Sequence, residues 1–146
     1  MAEGSFTGFA RPAVPTPQEI RDWALDPYST APEGRQWDLT LATDELVDTW
    51  LDLAADATCP KRSFALHVLY IYAGDAVRTN FRVHPRKRVD RLLEKAVESR
   101  DQYVELWAAN TKALIRQPDL FDYHEWCNGG LVRTPRRLNP GPTRKP

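Results

Sequence analysis

The chain has 146 residues, of which 42% are apolar and 27% charged, with a formal net charge of zero. This is the composition of one ordinary globular domain, long enough to bury a core without a disulfide staple. The zero balance is unlike most DNA-binding domains, yet it hides a polarity: residues 1–60 carry three Arg against eleven acids, and residues 61–146 carry seventeen Lys or Arg against nine.

Residues 1–15 contain Gly4, Gly8, Pro12 and Pro15 without periodicity and read as an irregular N-terminal arm. Phe6 and Phe9 are its two aromatics, able to tuck into a groove on the body. Thr16-Pro17-Gln18-Glu19 is a helix start: Thr16 at the N-cap, Pro17 at the first helical position and Glu19 completing a capping box. Ile20, Trp23 and Ala24 share one face, and Pro27 ends the helix. Residues 27–38 read as a loop closed by Trp37, which docks on the body.

A second helix is predicted from Thr43 to Ala57, with Leu46, Val47, Trp50, Leu51 and Ala54 inward and Asp44, Glu45, Asp48, Asp52 and Asp56 outward. A third starts at Thr58-Cys59-Pro60, with Pro60 near its first position, and runs to about Asn80. From Phe64 to Ala73 it is apolar almost all round, which predicts a central, buried helix. A short strand over Val68–Tyr72 is the alternative. After Pro85 the spacing of Val89, Leu92, Leu93, Ala96, Val97, Tyr103, Leu106 and Trp107 predicts one helix from Arg86 to Gln117. Straight, it would be about 48 Å long, so it either bends or protrudes to pair with another chain. Asp119–Cys127 reads as a last short helix, closed by Gly129-Gly130.

The expected fold is therefore all-α: an irregular four- to five-helix bundle over residues 16–132, with an N-terminal arm (1–15) and a basic Pro/Arg-rich tail (133–146). The opening residues lack the basic and apolar regions of a secretory signal, and Phe64–Ala73 is too short to span a bilayer. A cytoplasmic protein with no membrane contact is expected, with Cys59 and Cys127 as free thiols.

Four constellations could carry function. His67, Asp75 and Arg78 on the third helix, with Arg100 on the fourth, could form a pocket for a small anion, or an ion-pair network that fixes helix register. The acidic stripe of Glu45, Asp48, Asp52 and Asp56 lacks the Glu-x-x-His partners of a di-metal bundle and reads as solvated surface. His124 and Cys127 offer two zinc ligands, too few for a tetrahedral site without Cys59, His67 or His84, so no metal is expected. Arg78, Arg82, His84, Arg86, Lys87, Arg88 and Arg91 form a basic run with only Asp90 against it.

Catalytic motifs are absent: there is no G-x-S-x-G, P-loop, dinucleotide glycine pattern or H-E-x-x-H, and neither a catalytic residue nor a cofactor is nominated. The resulting expectation is a non-catalytic binding or scaffold protein. It would self-associate as a homodimer, or contact a protein partner, through an acidic face (Asp48, Asp52) and a basic face (Arg82, Arg86, Lys87, Arg88). The first alternative is an anion-binding protein or enzyme using His67, Asp75, Arg78 and Arg100. The second is a nucleic-acid binder using Arg82–Arg91.

Overall fold

A computed structural model describes residues 15–29, 41–122 and 126. The expectations for the N-terminal arm, Trp37, His124, Cys127, the Gly129-Gly130 cap and the basic tail lie outside these residues. The chain is all-helical: α1 (Pro17–Leu25), α2 (Val47–Ala54), α3 (Arg62–Arg78), α4 (Arg86–Glu98) and α5 (Gln102–Arg116), followed by a 3-10 turn at Pro118–Leu120. Among the described residues there is no strand, so Val68–Tyr72 is helix.

Helix α1 opens as its sequence dictates. Thr16 Oγ1 accepts from Glu19 N–H at 3.2 Å, and Glu19 Oε1 accepts from Thr16 N–H at 2.9 Å. Ile20, Trp23 and Ala24 are its buried face. Helix α2 is shorter than the predicted 43–57. At its front, residues 41–46 are drawn into turns by tertiary contacts: Trp50 Nε1–H donates to Leu41 C=O at 2.9 Å, and Asp44 is held by α3 and the turn beyond it. At its back, Asp56 accepts from both the N–H and the hydroxyl of Thr58, an Asx turn that ends the helix. Pro60 consequently lies in the connecting turn, and α3 begins at Arg62.

Helix α3 is the centre of the molecule, packing chiefly on α2 and α5. Val68, Leu69, Ile71, Tyr72, Ala73 and Ala76 are all buried although they face different directions, which requires neighbours on every side. Two indoles are anchored to its carbonyls: Trp107 Nε1–H donates to Leu69 at 2.9 Å, and Trp126 Nε1–H donates to Tyr70. Gly74 makes room for the second, because a Cβ there would lie 2.7 Å from the Trp126 ring. Trp23, Trp50 and Phe64 form an aromatic cluster beneath α1 and α2, with centroids 5.3–6.3 Å apart. Each fully buried side chain of this size contributes roughly 2–3 kcal/mol.

The predicted single helix from Arg86 to Gln117 is two helices. Glu98-Ser99-Arg100-Asp101-Gln102 is five polar residues in succession, an interruption in the apolar stripe. Arg100 turns into the left-handed region (φ 58°), and Ser99 Oγ donates to Ala96 C=O at 2.6 Å. Asp101 then caps α5, accepting from Tyr103 and Val104 N–H, both at 3.0 Å. Arg62 locks this corner. It ion-pairs with Asp101, donates from Nε to Ala54 C=O at 2.7 Å, and lies over the Tyr103 ring. One guanidinium thus joins the end of α2, the start of α3 and the start of α5.

Candidate partner-contact site

The four residues of the expected anion pocket do not converge. Asp75 and Arg78 pair at 2.9 Å near the end of α3, which agrees with the ion-pair alternative for these two. Arg100 is exposed and precedes Asp101, which touches Arg62 at the other end of α3. Arg62 and Asp75 are about 20 Å apart along the helix axis. His67 lies half-buried between them.

Asp48 and Asp52 of the acidic face find cations within one chain, of which only Arg88 belongs to the expected basic face. Asp52 pairs with Arg21 of α1 at 3.3 Å and Lys95 of α4 at 3.1 Å; Asp48 pairs with Lys95 at 3.5 Å and Arg88 at 3.8 Å. All are partly exposed, so each pair contributes little stability. Their consequence is directional, because they hold α4 alongside α2. Between these two helices runs a cleft of about 410 Å³, lined by Leu51, Asp52, Ala55, Asp56, Lys95 and Glu98.

The basic run continues around the α3–α4 corner. There α3 ends in a Schellman turn: Phe81 N–H donates to Ala76 C=O at 2.6 Å and Asn80 N–H to Val77 C=O at 3.0 Å. Asn80 takes the left-handed conformation (φ 54°) and so does Phe81 (φ 63°), where an aromatic residue is strained. Arg86 lies over the Phe81 ring, 5.1 Å from its centroid, and pairs with Asp90 at 3.1 Å. Arg82, Lys87 and Arg91 are exposed. Among the described residues no carboxylate pairs with any of these three.

One polar cluster, not foreseen from the sequence, sits beneath this corner. Asp44 Oδ1 accepts from the Tyr72 hydroxyl at 2.6 Å and from His84 Nδ1 at 2.8 Å. A carboxylate oxygen only accepts, so Nδ1 carries the proton. The Tyr72 and His84 rings stack at 3.8 Å, and His84 is 7% exposed. Burial, then the hydrogen bond to Asp44 and its charge, push the Tyr72 phenol well above the ordinary tyrosine range. Two donors converge on one acceptor here, an arrangement that fixes position. No pattern links Asp44, Tyr72 and His84 in the sequence, because 28 and 40 residues separate the pairs. The only local hint was a histidine immediately before the Pro85 break.

Among the described residues, no group of three or more His, Cys, Asp or Glu could hold a metal ion, and no helix is long and apolar enough to cross a membrane. No protein-family model matches the sequence, and comparison with curated proteins and with solved structures finds no match either. The class defined by the fold and the site is thus an all-α helical bundle in which Asp48 and Asp52 are paired internally and the basic corner before and along the start of α4 is exposed.

Proposed function

We propose that this chain is a non-catalytic helical binding protein that meets a protein partner through charge. The observation carrying this reading is the uneven use of charge. Asp48 and Asp52 are engaged by Arg21, Arg88 and Lys95, while Arg82, Lys87 and Arg91 are exposed and, among the described residues, have no carboxylate partner. A corner whose cations stay open while Asp48 and Asp52 are engaged elsewhere suits an acidic partner. Self-association through the acidic face is the weaker form of the idea, since a twin's cations would have to displace Arg21, Arg88 and Lys95.

Two measurements test this. Fluorescence anisotropy should show binding to labelled poly-glutamate at low salt, fading as salt screens the contact, and none to poly-lysine. Light scattering of the free protein should return the 16.7 kDa monomer mass at moderate salt. Absence of poly-glutamate binding at low salt sinks the reading. A stable dimer would move the contact to a second copy of the chain.

A further inference from the structure

We propose that the α3–α4 turn is a pre-organised dock for an acidic segment of a partner protein that also carries an aliphatic side chain, and that Asp44, Tyr72 and His84 are its positioning residues. This rests on the function proposed above and deepens it.

The turn is held at both ends. At its start, Phe81 keeps a left-handed backbone that is strained for an aromatic residue, so the surrounding contacts must hold it there. Those contacts are the Schellman pair, the packing of Phe81 on the core and Arg86 over its ring. At its end, His84 is buried, stacked on Tyr72 and bonded to Asp44. Only Arg82 and Val83 lie between these two anchors. Val83 N–H donates to Thr79 Oγ1 at 3.4 Å and Arg82 Nε–H to Thr79 C=O at 3.2 Å, which completes the tether. The outcome is a rigid tip on which Val83 is 52% exposed beside Arg82, and Lys87 and Arg91, one turn apart, are exposed on the helix that follows. A surface held in place before binding loses little conformational entropy on binding.

The chemistry of the rim selects the partner. Arg86, Lys87 and Arg88 open α4, which has no acidic residue in its first turn and no side-chain cap. Cations are unfavourable at that helix end, and a carboxylate from outside would supply the missing charge. Asp90 and Glu94 are exposed along the same helix. A continuous phosphate backbone or an anionic bilayer would bring its charges against those carboxylates. A peptide can place single carboxylates at Arg82, Lys87 and Arg91 and an aliphatic side chain on Val83, while avoiding Asp90.

The test is anisotropy of the full chain with a labelled peptide alternating glutamate with leucine, against an all-glutamate peptide, a DNA duplex and phosphatidylserine vesicles. The glutamate–leucine peptide should bind tightest, and Val83→Ser should remove its advantage over the all-glutamate peptide. Arg82→Glu with Lys87→Glu should weaken binding about tenfold or more, equivalent to 1.4 kcal/mol, and flatten its salt dependence. Tyr72→Phe and His84→Leu leave those open cations in place. They should weaken binding severalfold, keep its salt dependence and raise the amide mobility of Arg82 and Val83 in NMR relaxation. Loss of binding in the charge variants with none in Tyr72→Phe or His84→Leu overturns the positioning role and leaves the proposed function standing. Val83→Ser, at an exposed position, keeps the dock testable if a buried variant unfolds. Preference for DNA or vesicles over both peptides overturns the dock itself.

Discussion

Tyr72 and His84 lie ring on ring, 3.8 Å apart, and donate to the same oxygen of Asp44. The residue that accepts both is in a turn before α2, so one carboxylate ties that turn to α3 and to the corner before α4. Asp44→Ala leaves two buried donors without an acceptor and should cost about 2 kcal/mol. Asp44→Asn keeps an acceptor oxygen and should cost about half as much. Urea denaturation measures both, and equal, negligible losses would show that water replaces the carboxylate.

Arg62 is the second junction. Arg62→Ala removes the Asp101 pair and the bond to Ala54 C=O together, at a partly buried site, and should cost about 2–3 kcal/mol. Arg62→Lys should recover little, because an ammonium lacks the planar fork that reaches both acceptors. A double-mutant cycle with Asp101→Ala checks the coupling; additive losses would count against the pair.

Gly74 makes the opposite prediction from helix propensity. Alanine favours a helix interior by about 1 kcal/mol over glycine. Here the new methyl would lie 2.7 Å from the Trp126 ring and 3.0 Å from Phe121. Overpacking of about 1–3 kcal/mol should win, so Gly74→Ala destabilises the fold and shifts the Trp126 emission. A more stable variant would show that the ring yields freely.

Arg100 has the reverse logic, since its side chain is exposed and its backbone is left-handed. Arg100→Gly removes strain of roughly 1–2 kcal/mol and adds unfolded-state entropy of about half that. A gain of up to about 1 kcal/mol in thermal unfolding is expected. A loss instead would restore a contact role for its guanidinium.

Alkaline pH should unfold the protein through its buried phenols. Burial pushes Tyr70 up to about 12, against a bond from Asn110 that pulls it down, and Tyr72 is raised as well. Below about pH 10 both phenols are protonated in folded and unfolded chains alike, so their contribution is fully present. Above it the unfolded chain releases protons that the fold retains, and stability falls until the folded groups also ionise. For Tyr70 that loss is on the order of 2–3 kcal/mol by pH 12. Tyrosinate absorbance that tracks loss of helicity would bear this out. Phenols ionising freely in the intact fold would refute it.

What could be read from the chain alone followed from local rules. The Thr16 capping box, the Pro27 stop and the buried α3 rest on short-range hydrogen bonding and on apolar side chains needing cover on every side, so periodicity sufficed. The division of α4 from α5 was also legible, in the five polar residues at 98–102. An unbroken spacing of apolar residues on either side outweighed it, because a helix spacing resumed after the cap gives no sign of the change in direction.

The functional surface depended on distance through space. Charge asymmetry between the two parts of the chain was visible, but which cations would be used internally was not. Only packing α4 on α2 assigns Lys95 and Arg88 to Asp48 and Asp52, and leaves Arg82, Lys87 and Arg91 outside. The same holds for Asp44, Tyr72 and His84, whose meeting depends on where three separate segments end. Local sequence thus determined the helices and the oily centre they surround. Tertiary contacts decided where α2 begins and which charges remain open, because those choices belong to side chains tens of residues apart.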